Sequence, residues 1–192
     1  MIWMLNVTTE DQSESQNKRL DSLLCGIAEG NQDALAQLYG CTRAAVYGLA
    51  LSYMKNPGDA EDVTQDTFVQ IWNCAQNFRP QGHPMAWLMT VTRNMALQKL
   101  RGQSRQELLE PEEWQQMPAP EQNEMNEDQL LLRQMLAQLS PEESRIVTLH
   151  AVAGLKHREI ARIEEMPLST ELSRYHRALK KLKTMMEGDD TE

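Results

Sequence analysis

Phenylalanine occurs only twice in the 192-residue chain, and aromatic residues make up 5% of it. A core of stacked rings is excluded; the 12 methionines point instead to aliphatic, adaptable packing. The three cysteines, Cys25, Cys41 and Cys74, are far apart, form no CxxC and have no histidine beside them. This excludes a disulfide framework or a zinc knuckle and fits a reducing compartment. No window approaches the roughly 20 apolar residues that span a bilayer. The Met1–Leu5 run is short, lacks a basic flank and leads into Thr8, Thr9, Glu10 and Asp11, so it does not read as a signal peptide. A cytoplasmic protein without membrane insertion is expected. An alternating strand pattern and an internal repeat are also missing.

What is abundant is acid, at a formal net charge of −9, and it is unevenly placed. Residues 104–128 hold eight acids and one arginine, together with Pro111, Pro118 and Pro120. Such a stretch buries too little apolar surface to fold and reads as a linker. Residues 188–192 form an acidic tail, and residues 1–17 read as a disordered extension. Residues 18–103 and 129–187 are then two folded blocks. The second carries ten basic residues against seven acids, so the overall charge does not exclude a nucleic-acid partner.

Both blocks read as helical, giving an all-α, two-domain chain. Leu20, Leu23, Leu24 and Ile27 recur at helical spacing over 18–29. A second helix starts at Asn31 and ends near Lys55. Asn56 caps a third, with Pro57 at its first position and Asp59, Glu61 and Asp62 near its positive end. After a loop over 77–83, Pro84 opens a fourth helix that continues to about Arg101. In the second block, Leu130, Leu131, Leu132, Met135 and Leu136 are helically spaced. Ser140-Pro141-Glu142-Glu143 is a capping-box start. A short helix over 156–164, a turn and a longer basic helix over 169–186 make a helix-turn-helix.

Three constellations could carry function. Asp62 and Asp66 lie at i and i+4 of the third helix and share a face with Gln65 and Val69, without a cation at obvious local spacing. That face suits docking to a basic partner, a solvated surface or, with a metal, carboxylate catalysis. Trp87, Arg93 and Asn94 stand beside a Gly/Pro loop, which suits an inward-packed tryptophan or a surface that holds unstacked bases. The last helix presents Ser173, Arg174, His176, Arg177 and Lys180 on one polar face, which reads as a solvated amphipathic helix or as a major-groove reader.

The segments that combine these features are Asp59-Ala60-Glu61-Asp62-Val63-Thr64-Gln65-Asp66, Ala86-Trp87-Leu88-Met89-Thr90-Val91-Thr92-Arg93-Asn94, Leu139-Ser140-Pro141-Glu142-Glu143 and Gly154-Leu155-Lys156-His157-Arg158-Glu159-Ile160-Ala161. In that order they resemble the extracytoplasmic-function sigma factors of the bacterial sigma-70 family, over about residues 20–103 and 129–186. The resemblance implies a transcription initiation factor without a catalytic residue, metal or cofactor. Asp59, Asp62, Gln65, Asp66 and Val69 would dock the β′ coiled coil of core RNA polymerase, with the β flap as a further contact. Phe78, Arg79, His83, Trp87, Thr90, Arg93, Asn94 and Arg101 would engage the −10 element of promoter DNA. Ser169, Thr170, Leu172, Ser173, Arg174, His176, Arg177 and Lys180 would read the −35 element. An anti-sigma factor would cover these surfaces in the inactive state.

The chain departs from that family's pattern at Glu164-Glu165, where an apolar residue and glycine are usual, and at Glu171, where valine is usual. Glu in the turn is expected to strain the backbone. Glu171, in the first turn of the last helix, is expected to approach the DNA backbone and weaken −35 binding.

Overall fold

The computed structural model describes residues 3–54, 56–80, 82–107 and 138–188. Most of the expected linker, and the whole Leu130–Leu136 run, lie outside them. The first block comprises α1 (Trp3–Ala28), α2 (Gln32–Met54), α3 (Pro57–Cys74) and α4 (Pro84–Glu107). The second comprises α5 (Pro141–Val147), a π turn at Thr148–Val152, α6 (His157–Ile163) and α7 (Leu168–Gly188).

Local chemistry sets the starts of these helices. The Asn31 Oδ1 accepts from the Ala34 N–H at 3.1 Å, and the Asn56 Oδ1 accepts from the Gly58 N–H at 2.8 Å. Ser140 and Glu143 close the expected capping box at 3.3 Å and 3.0 Å. Two boundaries differ from expectation. α1 begins at Trp3 instead of near residue 18, and α4 runs past Arg101 to Glu107. Neither extension follows the apolar periodicity that marked the expected boundaries.

Leu24 and Ile27 of α1, Leu38, Val46 and Leu49 of α2, Ile71 of α3, and Leu88 and Met89 of α4 are buried in a single cluster. Ile146, Leu149, Leu155 and Ile160 of the second block join the same cluster. Each such side chain contributes roughly 1.5–3 kcal/mol on full burial. The two blocks therefore share a core, with α2 packed on α5 and the π turn, and α4 packed on α6. Gly154, at φ +70°, turns the chain out of the π turn toward α6, a conformation an L side chain adopts only at a cost.

Candidate nucleic-acid and protein interfaces

On α3, helical geometry sends Val63, Thr64, Thr67 and Phe68 into the core and leaves Asp62, Gln65, Asp66 and Val69 exposed along the opposite face. Val69 is 60% exposed, an unusual position for a large apolar side chain. Asp59 is half-buried at one end of the strip. No cation stands at local spacing on this face, but one arrives from another helix: Lys99 of α4 reaches Asp62 at 2.7 Å and Asp59 at 3.3 Å. Burial works against the Lys99 charge, but its hydrogen bonds to Asp62 and Asp59 outweigh it and raise the ammonium pKa. The local helix spacing could not reveal this, because Lys99 stands 37 residues from Asp62. Asp66, one turn further on, is exposed as well.

The 77–84 loop and the start of α4 form one wall of an open cleft of about 480 Å³. Trp87, half-buried, packs against the core, and Phe78 meets it edge-on at 5.2 Å between centroids. Phe78 itself is buried and braces the indole from behind. Arg79 is exposed, and its guanidinium donates to the Gln76 and Phe78 carbonyls at 3.0 Å. Thr90 and Asn94 follow Trp87 along the exposed side of α4 and line the cleft with Arg93. Arg101 is exposed about two turns beyond Asn94 along α4, outside the cleft.

The opposite wall belongs to the helix-turn-helix, through Glu159, Arg162, Ile163 and Glu165. Glu165 Oε1 meets Arg93 Nη1 at 3.1 Å, while Arg93 Nε is buried without a hydrogen-bond partner. Glu159 Oε1 meets His83 Nδ1 at 2.7 Å. Glu164 is almost entirely buried; it accepts from the Tyr53 hydroxyl at 2.9 Å and from Arg145 Nε at 2.7 Å. The Arg145 guanidinium also stacks over the Tyr53 ring at 4.7 Å. Burial, then the negative charge of Glu164, pushes the Tyr53 phenol well above its usual range, so it stays a donor.

Glu165 carries the strain expected of it, at φ +53°, and is the one non-glycine residue with positive φ among those described. The turn is closed by the Met166 N–H donating to the Ala161 carbonyl at 2.9 Å.

The last helix, α7, leaves Ser169, Ser173, His176, Arg177 and Lys180 exposed, with Thr170, Leu172 and Arg174 half-exposed. Ala178 is buried and Tyr175 packs inward, so the basic face looks away from the shared core. Lys181 on the flank reaches Glu143 at 2.6 Å and pins α7 to α5. Burial disfavours the Glu143 charge, but the hydrogen bonds from Lys181 and the Ser140 N–H hold its carboxyl below the usual range.

Glu171 overturns its expectation. It is fully buried, with Oε1 2.9 Å from His157 Nδ1 of α6. It faces the interior of the helix-turn-helix, not the exposed basic face. Glu171 Oε2 is buried without a hydrogen-bond partner, and His157 stacks on His150 at 4.4 Å.

Sequence reasoning missed Tyr53, Lys99, Arg145 and Glu159 as members of these sites. Only the departure of Glu164-Glu165 from the family pattern pointed toward this contact.

Residues 38–106 match the model of sigma-70 region 2, and residues 129–182 match that of sigma-70 region 4. The first match holds the α3 strip and the cleft wall; the second holds the helix-turn-helix. The chain is 41% identical over 85 residues to the ECF RNA polymerase sigma factor SigK of Mycobacterium sp. strain KMS, covering 44% of each protein. It spans less than half the length of that relative. It is 34% identical over 154 residues to the ECF RNA polymerase sigma factor SigE of Mycolicibacterium smegmatis, covering 77% of this chain and 59% of that one. The solved structure of CnrH in complex with the cytosolic domain of CnrY superimposes with a TM-score of 0.59 at 25% identity, covering 89% of this chain and 99% of CnrH.

Proposed function

The chain belongs to the extracytoplasmic-function branch of the sigma-70 family, and from that premise we propose that it binds core RNA polymerase, directs it to particular promoters and helps to open them. The observation that carries the reading is the region 2 match itself. On one block it combines an outward acidic and apolar strip with a cleft that presents a braced indole, an arginine and an amide. The strip, Asp62, Gln65, Asp66 and Val69, suits a basic coiled coil of the polymerase β′ subunit, with Asp59 at its edge. Trp87, Arg93 and Asn94 suit an unstacked base of the −10 element, held by stacking and by hydrogen bonds to its edge. The exposed face of α7 suits the major groove of the −35 element, with Arg174, Arg177 and Lys180 on phosphates. The β flap and an anti-sigma factor complete the partners proposed from the family resemblance.

The engagement of Asp62 by Lys99 argues against a free Asp62–Asp66 carboxylate pair for acid–base chemistry, and the exposed Gln65, Asp66 and Val69 support a docking face. We therefore assign the chain a binding role and no reaction of its own. Among the described residues no helix is long and apolar enough to cross a membrane, and no cluster of side chains could hold a metal ion.

The test is permanganate footprinting of promoter complexes formed with Asn94→Ala. The variant should bind core polymerase as the parent does and lose thymine reactivity in the bubble. Equal footprints for the two proteins would remove Asn94 from the opening site.

A further inference from the structure

We propose that the acidic edge of the helix-turn-helix is an internal lock: Glu164 and Glu165 hold the two blocks closed and occupy the side chain that would meet promoter DNA. The proposal rests on the sigma-factor reading for its target and on geometry for the lock itself.

The geometry has a buried centre and an exposed rim. At the centre, Glu164 of the second block takes the Tyr53 hydroxyl of the first at 2.9 Å, while Arg145 neutralises the same carboxylate and stacks on the same ring. A carboxylate this buried persists only when its oxygens are met, and both are. At the rim, Glu165 takes Arg93 and Glu159 takes His83, two side chains assigned above to the −10 element. Glu165 reaches Arg93 only because its backbone adopts φ +53°, at a cost that glycine would avoid. An acid at this position thus supplies, within the chain, a negative group where a phosphate or a base acceptor would bind.

Distance makes the lock incompatible with promoter binding. Elements centred at −10 and −35 lie about 85 Å apart on B-form DNA, at 3.4 Å per base pair. Two readers packed on one core cannot span that. The 30 residues from 108 to 137 reach at most about 100 Å when fully extended, enough for the open form. Opening must therefore break the Glu164 and Glu165 contacts and expose the apolar surface under them. Polymerase and DNA together are what favour the open state, through their greater affinity for it.

The test uses the full chain with Tyr53→Phe and Glu165→Gln combined, which removes one hydroxyl and one charge and keeps both shapes. Small-angle scattering of the free protein gives the first readout, and affinity of the fluorescently labelled chain for core polymerase the second. At unchanged helicity, the radius of gyration should rise by about a quarter above the roughly 16 Å of a compact chain of this length. Polymerase affinity should rise at least about threefold. Should the double variant lose helicity, Glu165→Gln alone decides, because that side chain is 73% exposed and its replacement leaves the core intact; it should shift both readouts in the same direction by less. Unchanged radius and affinity would overturn the lock. If the variant opens but neither protein binds core polymerase, the lock stands and the sigma-factor reading fails. If both proteins give promoter-specific initiation with identical radius and affinity, the lock alone fails.

Discussion

The acids of α3 and the acids of the helix-turn-helix have the same chemistry and opposite fates. Asp62 and Asp66 lie on an exposed strip. The side chains of Glu164 and Glu171 are buried, and Glu159 and Glu165 are engaged by His83 and Arg93 of the other block. Outward placement follows from helical spacing alone, whereas inward placement depends on a partner brought in by the fold. α3 buries one apolar stripe, so its acids must lie on the other side. The α6–α7 turn is met on one side by α2, through Tyr53, and by α4, through Arg93. Its acids are therefore structural in the closed form, whereas on the strip only Asp62, through Lys99, has such a part and Asp66 has none, and this contrast can be tested substitution by substitution.

The largest effect is expected from Glu164→Ala. It leaves the Arg145 guanidinium and the Tyr53 hydroxyl without their acceptor, and removing one member of a buried pair costs about 3 kcal/mol. Urea unfolding should show that loss as a lower midpoint; an unchanged midpoint would put Glu164 in the same class as the strip acids.

Asp66→Arg should do the reverse. Unfolding free energy should stay within about 0.5 kcal/mol of the parent, as for other surface substitutions. Core polymerase binding should weaken at least tenfold, which is about 1.4 kcal/mol. Asp62→Arg also loses Lys99 as a partner, so it should lower stability as well as binding. Equal binding by parent and Asp66→Arg in an anisotropy titration would break the docking assignment.

Glu143→Gln is a smaller perturbation, about 1 kcal/mol at pH 7, because it weakens a capping box and the Lys181 contact. Its pH dependence has a definite sign. The Glu143 carboxyl titrates below its ordinary value in the folded chain, so its contribution is present above the ordinary carboxylate range and is lost as the pH falls through the folded value. Parent and variant unfolding curves should differ at pH 7 and converge in acid. A difference that stays constant as the pH falls would assign the effect to packing instead.

Glu165→Gly should have the smallest effect on stability, less than about 1 kcal/mol. Relief of the left-handed backbone is offset by the lost Arg93 pair and by glycine's larger unfolded-state entropy. A loss above 2 kcal/mol in thermal unfolding would mean that the pair with Arg93 is no rim contact.

These contrasts also mark what the sequence could show. Helix starts at Asn56-Pro57 and Ser140-Pro141 were legible because a cap acts over three residues. The exposed strip was legible because one helix decides it. Glu171 was misplaced because its partner, His157, lies on the preceding helix and spacing along α7 cannot indicate it. The neutralisation of Asp62 by Lys99 spans 37 residues, and the Glu164 contact with Tyr53 spans 111. No local pattern carries information over that range. The shared core was missed for the same reason: an acidic, proline-rich stretch marks where two blocks separate and does not say whether they pack together.

The proposed role, giving core RNA polymerase its promoter choice, is tested by run-off transcription on sheared bacterial genomic DNA. Core polymerase supplemented with the purified full chain should yield discrete start sites that share sequence upstream at −10 and −35 and are missing with core alone. A transcript profile identical to that of core polymerase alone, from a chain verified as helical, would contradict the account.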